Sequence, residues 1–197
     1  IMMHPMERYF VLEDTMEITD KIAQDVMKNV MKYAKILKKD PENYEARAEI
    51  MWCGSLSHNG LTGCGTCGGD WATHLIEHEL GGMFDVAHGA GLAAVWGSWA
   101  RYVMDEKPER FAQFAVDVMG VEESDDVKST ALKGIEAVEE FYRMIEMPTN
   151  MKELGINPTD EQIKDMAMKA TNHDTQQLGA FKKLSAKDLV EIYKTAK

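Results

Sequence analysis

A chain of 197 residues is long enough to bury a full hydrophobic core and short enough to be one domain. Apolar residues at 45% and charged residues at 28% are ordinary for a soluble globular protein. With 33 acidic against 22 basic side chains the net charge is −11, which excludes nucleic acid and anionic membranes as default partners. Apolar runs last only a handful of residues, as around Gly91 to Trp96, far short of a membrane span. No basic-then-apolar leader opens the chain, so no signal peptide is expected. Three clustered cysteines are too few for a disulfide framework, and fifteen methionines, which oxidise readily, suit a reducing cytoplasm.

In chain order, the first residues Ile1-Met2-Met3-His4 run directly into helix-forming sequence with no initiator Met and no polar cap, which reads as the cut edge of something longer. From Glu17 to Lys39 the residues Ile18, Ile22, Val26, Val30, Ala34 and Leu37 recur by threes and fours, a helical face. Pro41 breaks it. Tyr44 to His58 predicts a second helix with Ile50, Met51 and Leu56 on its apolar side. Asn59 to Gly69 is a glycine-rich loop. Helical patterns follow over Trp71 to Phe84, His88 to Met104, Pro108 to Met119, Ser124 to Ile145, Thr159 to Ala170 and Ala186 to Thr195. Thr159 to Gln162 and Ser185 to Asp188 have the form of capping boxes. No run of alternating β-branched residues marks a strand. The expected fold is all-α, a multi-helix bundle of seven to nine helices forming a single domain over residues 1–197.

Three of the six histidines, His74, His78 and His88, fall within fifteen residues. His74 and His78 share one helix face at i, i+4, and His88 opens the next helix after a short turn, able to fold back. Gly81, Gly82, Gly89 and Gly91 flank them, and glycine costs about 1 kcal/mol against Ala within a helix, so the run points to close approach of backbone or ligand. Neutral imidazole is the commonest nitrogen ligand for metals, so the cluster reads as a metal site. The residues allow two versions. His74-x-x-Glu77-His78 matches the H-x-x-E-H pattern of inverted zinc peptidases, with Glu77 as general base. Alternatively His74 and His88 are the ligands, and His78 stands beside the metal to move a proton or place substrate.

The string Gly69-Asp70-Trp71-Ala72-Thr73-His74-Leu75-Ile76-Glu77-His78-Glu79-Leu80, continuing through Asp85-Val86-Ala87-His88-Gly89-Ala90-Gly91-Leu92-Ala93, resembles the iron-containing alcohol dehydrogenases, and more narrowly their butanol dehydrogenase branch. His4 to Phe10, Tyr44 to Trp52, His58-Asn59-Gly60, Trp99 and Tyr102-Val103 agree as well. The resemblance covers the whole chain and is strongest over residues 44–103. It implies the all-α C-terminal domain of such an enzyme, the α/β dinucleotide-binding domain lying upstream and absent here. It implies a divalent metal, Fe²⁺ or Zn²⁺, held by His4, His74 and His88 together with an Asp that would fall immediately before Ile1. His78 matches the family's cleft histidine, close to substrate and nicotinamide. The implied reaction interconverts primary, butanol-like alcohols and aldehydes with NAD(P), the isolated fragment being inactive, and a homodimer is a common state of the family. Pro5 after His4 departs from the family pattern and is comfortable only in a first helical turn. Gly97 stands where relatives often carry Pro.

Two readings compete with this one: the zinc peptidase, and a non-enzymatic helical interaction module with packed histidines. Cys64-Gly65-Thr66-Cys67 is read as an accident of a glycine loop rather than a redox pair or half a zinc site, since only Cys53 remains elsewhere. His58 and His173 are expected at the surface, with His58 a lesser candidate for the cleft. Met27, Met31, Met144 and Met147 are expected to pack in the core.

Overall fold

The helical periodicity dictates the architecture. The structure, a computed structural model, describes residues 1–13 and 16–197. Among these residues lie nine α-helices, two 3₁₀ turns and no named strand; the β pairing is an isolated antiparallel bridge between Leu178 and Leu184. The all-α expectation therefore holds. No helix is long and apolar enough to cross a membrane. The chain divides into two compact units.

The first unit comprises Ile1–Asp70 and Lys107–Ala137. It contains α1 (Met3–Tyr9), α2 (Glu17–Lys39), α3 (Tyr44–His58), a 3₁₀ turn (Leu61–Gly63), α6 (Pro108–Asp117) and the first part of α7 (Val127–Met144). Pro5 falls in the first turn of α1, where the missing N–H leaves no helical bond unmade. The α2 helix packs on α1 and α3. Its buried residues are Thr19, Asp20, Ala23, Gln24, Val26, Met27, Val30 and Met31. The inward stripe is therefore rotated from the expected one, and Ile18 is 64% exposed. The same rotation occurs in α3, which buries the small residues Ala46, Cys53 and Ser57 and leaves Met51 and Trp52 outside. Aromatic rings fill the centre: Phe10 stacks on Phe111 at 4.3 Å between centroids and meets Phe114 at 5.0 Å.

The second unit comprises Trp71–Glu106 and Val138–Lys197. It contains α4 (Ala72–Phe84), α5 (His88–Val103), a 3₁₀ turn (Met104–Glu106), the end of α7, α8 (Asp160–Ala170) and α9 (Ala186–Thr195). The α5 helix is apolar nearly all round, as a central helix must be, and buries Gly91 through Ala100. It packs on α4 and α9, while α8 packs on α4 and α9. Both capping boxes form, Thr159 with Gln162 and Ser185 with Asp188. Arg101 grips Glu139 through both guanidinium nitrogens, and the Tyr102 hydroxyl donates to Asp188 at 2.6 Å. Of the methionines assigned to the core, Met27 and Met31 are buried, but Met144, the last residue of α7, and Met147 after it are exposed.

Candidate metal centre

The α4 and α5 helices bring three histidines together. The α4 helix starts from Trp71, whose φ of 61° puts a bulky residue in the left-handed region, at a cost of roughly 1–3 kcal/mol. That conformation sets the indole edge-on to the His74 imidazole, 5.2 Å between centroids. One turn later His78 occupies the same face. The helix ends at Asp85, a residue type that tolerates its left-handed φ of 52°, and the Asp85 N–H donates to the Gly81 carbonyl. Two residues on, extended Ala87 caps α5, and His88 is its first residue. The turn folds α5 back along α4, as the sequence led one to expect.

Ring centroids lie 5.3 Å apart for His74 and His88, 5.7 Å for His78 and His88, and 6.3 Å for His74 and His78. His74 is buried, whereas His78 and His88 are exposed. Glu77 projects between them. Its side chain is 2% exposed, and its Oε2 accepts a short hydrogen bond from His88 Nδ1. An ionised carboxylate has only acceptor capacity, so in such a pair Nδ1 is the donor. One ligand-capable atom from each of Glu77, His78 and His88 lies within 4.8 Å of the others, the set among the described residues that is grouped tightly enough for a metal ion.

The glycines divide into two kinds. A Cβ on Gly91 would stand 2.6 Å from Glu77 Oε1 and 2.8 Å from its Cγ, and one on Gly81 would stand 3.0 Å from Oε1. Gly82 and Gly89 have nothing within 4 Å. The close approach foreseen from the glycine run is thus made by a side chain, that of Glu77. Sequence reasoning assigned Glu77 only as a peptidase base and missed its bond to His88. The signal was present in the spacing: Gly81 is i+4 from Glu77, and Gly91 is i+3 from His88.

His4, His58 and the three cysteines lie in the first unit. His4 sits on α1 with its ring against that of His58, 4.0 Å between centroids. His58 Nδ1 is 2.8 Å from both the Gly54 carbonyl and Ser57 Oγ. The thiols of Cys53, Cys64 and Cys67 are free, Cys53 buried and the other two exposed. His173 lies on an exposed turn in the second unit with φ of 57°.

Imidazoles gathered at the turn between two packed helices are donors suited to Fe²⁺ or Zn²⁺. All of residues 1–197 match the family described as "Fe-containing alcohol dehydrogenase family, C-terminal". The chain is 31% identical over 195 residues to NADH-dependent butanol dehydrogenase A of Clostridium acetobutylicum, covering 98% of this chain and 49% of that protein. It is 34% identical to the probable NADH-dependent butanol dehydrogenase 1 of Bacillus subtilis, covering all of this chain and 50% of that protein. The crystal structure of NADH-dependent butanol dehydrogenase A from Thermotoga maritima superposes with a TM-score of 0.90 at 34% identity, covering 99% of this chain and 50% of that one. The chain thus spans about half the length of the curated relatives it matches. From His74 to His88 and across the remainder of its length, this chain belongs to the iron-containing alcohol dehydrogenase family, matching its C-terminal part.

Proposed function

We propose that this chain is the metal-holding part of an alcohol dehydrogenase that interconverts primary, butanol-like alcohols and aldehydes with NAD(P). In this reading His74 and His88 ligate a divalent metal, with iron favoured by the family, and His78 handles the substrate proton. The observation that carries it is the spacing of the rings. An imidazole bound at about 2.1 Å has its ring centre roughly 3.2 Å from the ion, so two neighbouring ligands have centres roughly 4.5–5.2 Å apart. The His74–His88 separation of 5.3 Å is close to that of such a pair, whereas His78 stands 6.3 Å from His74; His78 and His88 also approach closely enough to share an ion, and the choice of His74 with His88 follows the family resemblance. The part of His4 as a further ligand rests on the resemblance alone.

When bound, the metal supplies Lewis-acid polarisation of an alcohol or aldehyde oxygen, and the nicotinamide carries the hydride. The chain's own residues do the rest. His78 is exposed one helical turn from His74, where its imidazole takes or returns a hydroxyl proton. Trp71 walls the buried side of His74. The exposed free thiols of Cys64 and Cys67 suit a cytoplasmic, reducing setting. The peptidase alternative needs Glu77 to take a proton from water, and here that carboxylate is buried and engaged by His88.

The test is titration of the purified chain with Fe²⁺ without oxygen, and with Co²⁺ and Zn²⁺, followed by calorimetry and thermal melting. One ion per chain is expected. At a hundredfold excess over Kd the native state gains about 2.7 kcal/mol. The double variant His74→Ala, His88→Ala removes that gain, and unchanged affinity in the double variant refutes the ligand assignment.

A further inference from the structure

We infer that Glu77 is a positioning residue for the metal centre: its buried carboxylate fixes His88 in the Nδ1–H tautomer and so presents Nε2 as the ligating lone pair. The inference rests on the metal reading given above and adds to it a residue that holds a ligand without touching the ion.

Geometry separates this role from direct ligation. Two donors each about 2.1 Å from one ion, at a right angle or wider, are at least about 3 Å apart. Glu77 Oε2 and His88 Nδ1 are closer than that, at hydrogen-bonding contact, so these two atoms form a donor–acceptor pair and do not share an ion. A neutral imidazole has one N–H and one lone pair. With the proton committed to Nδ1, the lone pair is at Nε2, on the far side of the ring from Glu77. Orientation of a ligating histidine through its second nitrogen also raises the basicity of the first.

The surroundings hold the carboxylate in that place. Glu77 sits on α4 and His88 on α5, so the bond spans the turn between the two helices. The carboxyl group fills a notch that α4 opens at Gly81 and α5 opens at Gly91, with 2.6 Å between Oε1 and a Cβ built at Gly91. The side chain occupies the space that a Cβ on Gly91 would need, and it is 2% exposed. A freely hydrated surface glutamate would specify neither the tautomer nor the ring plane. This one does both.

The experiment has two independent readouts on the wild-type chain and on Glu77→Ala and Glu77→Gln. The first is the tautomer of His88 in the metal-free protein, from ¹⁵N chemical shifts of the ring nitrogens at neutral or mildly alkaline pH. Wild type is expected to show a protonated Nδ1 and a lone-pair Nε2 at His88, and Glu77→Ala to lose that preference. The second is Co²⁺ affinity with its visible absorption spectrum. Glu77→Ala is expected to bind about 10–100-fold more weakly with a shifted band, and Glu77→Gln, which keeps an acceptor oxygen in the same shape, to recover part of the loss. If Glu77→Ala does not fold, Glu77→Gln alone decides: a loss of several-fold is expected, and wild-type affinity with a wild-type spectrum overturns the inference. An Nε2–H tautomer in wild type, or a Glu77→Ala that folds and binds as wild type does, also overturns it. A wild-type chain that shows the Nδ1–H tautomer but takes up no Co²⁺ overturns the metal reading, and with it the claim that the tautomer serves a metal.

Discussion

The Tyr193 hydroxyl donates to the Ile76 carbonyl at 2.6 Å, tying α9 to the helix that carries His74, Glu77 and His78. Both side chains are fully buried. The Ile76 carbonyl also belongs to the backbone ladder of α4, so the phenol is a second donor to an acceptor with two lone pairs. Tyr193→Phe therefore leaves no acceptor unmade and removes one net hydrogen bond. The expected cost is about 1 kcal/mol, read from the midpoint of urea unfolding. The His88 tautomer should stay as in wild type, because Glu77 keeps its place. A loss above about 3 kcal/mol would show that the phenol does more than cap an already satisfied carbonyl.

The four glycines around the metal centre should respond in opposite directions. Gly82 lies within α4 with nothing within 4 Å of an added Cβ, so Gly82→Ala should stabilise the chain by about 0.5–1 kcal/mol through helix propensity. Gly91→Ala makes the same propensity gain but drives a methyl into Glu77, 2.6 Å from Oε1 and 2.8 Å from Cγ. Since Glu77 is buried, it yields only by breaking its bond to His88 or by moving the helices. The expected net loss is about 1–3 kcal/mol, with weakened divalent-metal binding. Parallel thermal melts of the two variants decide the point; equal stabilisation of both would mean that the notch is not tight.

Much of this was legible in the sequence, and what was not has a physical explanation. The bounds of α2, α3 and α9, the fold-back of His88 and both capping boxes follow from periodicity and from cap chemistry, which act over three or four residues. The rotation of the inward stripes does not follow. The pattern Ile18, Ile22, Val26 counts apolar identity, but burial depends on what a neighbouring element offers. In α2 the positions taken inside include Thr19, Asp20 and Gln24, each with a partner distant in sequence: the Cys64 carbonyl, Arg110 and Asp117. With those partners the polar groups cost little to bury, and Ile18 is turned outward. In α3 the close packing of α2 selects Ala46, Cys53 and Ser57 for their size, leaving Met51 and Trp52 exposed. The pairing of Glu77 with His88 escaped notice for the same reason: it is made with a residue eleven positions away on another helix.

In the first unit the most sensitive polar contact is the buried pair of Arg110 and Asp20. The guanidinium meets the carboxylate through two bonds of 2.6 and 2.7 Å, donates to the Tyr9 carbonyl at 2.8 and 2.9 Å, and stacks on the Tyr9 ring at 3.6 Å. Arg110→Met strips Asp20 of its guanidinium counter-charge and takes two side-chain donors from the Tyr9 carbonyl, which keeps the Val11 N–H. The expected destabilisation is about 3–5 kcal/mol. Arg110→Lys should fail to restore it, since an ammonium does not reproduce the planar fork that serves both partners. The double variant Arg110→Met, Asp20→Leu should recover a large part of the loss, because it removes the stranded charge together with its partner. A double variant as unstable as Arg110→Met alone would place the cost in packing instead.

The phenols predict an alkaline limit to stability. Burial pushes Tyr9 up to about 12, with the Arg110 guanidinium working against it. Burial pushes Tyr142 and Tyr193 up as well, and for Tyr193 the carboxylates of Glu79 and Glu77 add to the effect. In the unfolded chain each phenol loses its proton near pH 10. Above that pH the native state holds more protons than the unfolded state, so stability falls as pH rises. The contribution is complete below about pH 10 and is lost as pH climbs from there toward about 12. The urea midpoint should therefore be flat from pH 8 to 9 and drop steeply from pH 10 to 11.5. Tyr193→Phe, although less stable at neutral pH, should show a shallower drop, because it removes one of the groups that ionise only on unfolding. An identical slope in that variant would assign the alkaline loss to other groups.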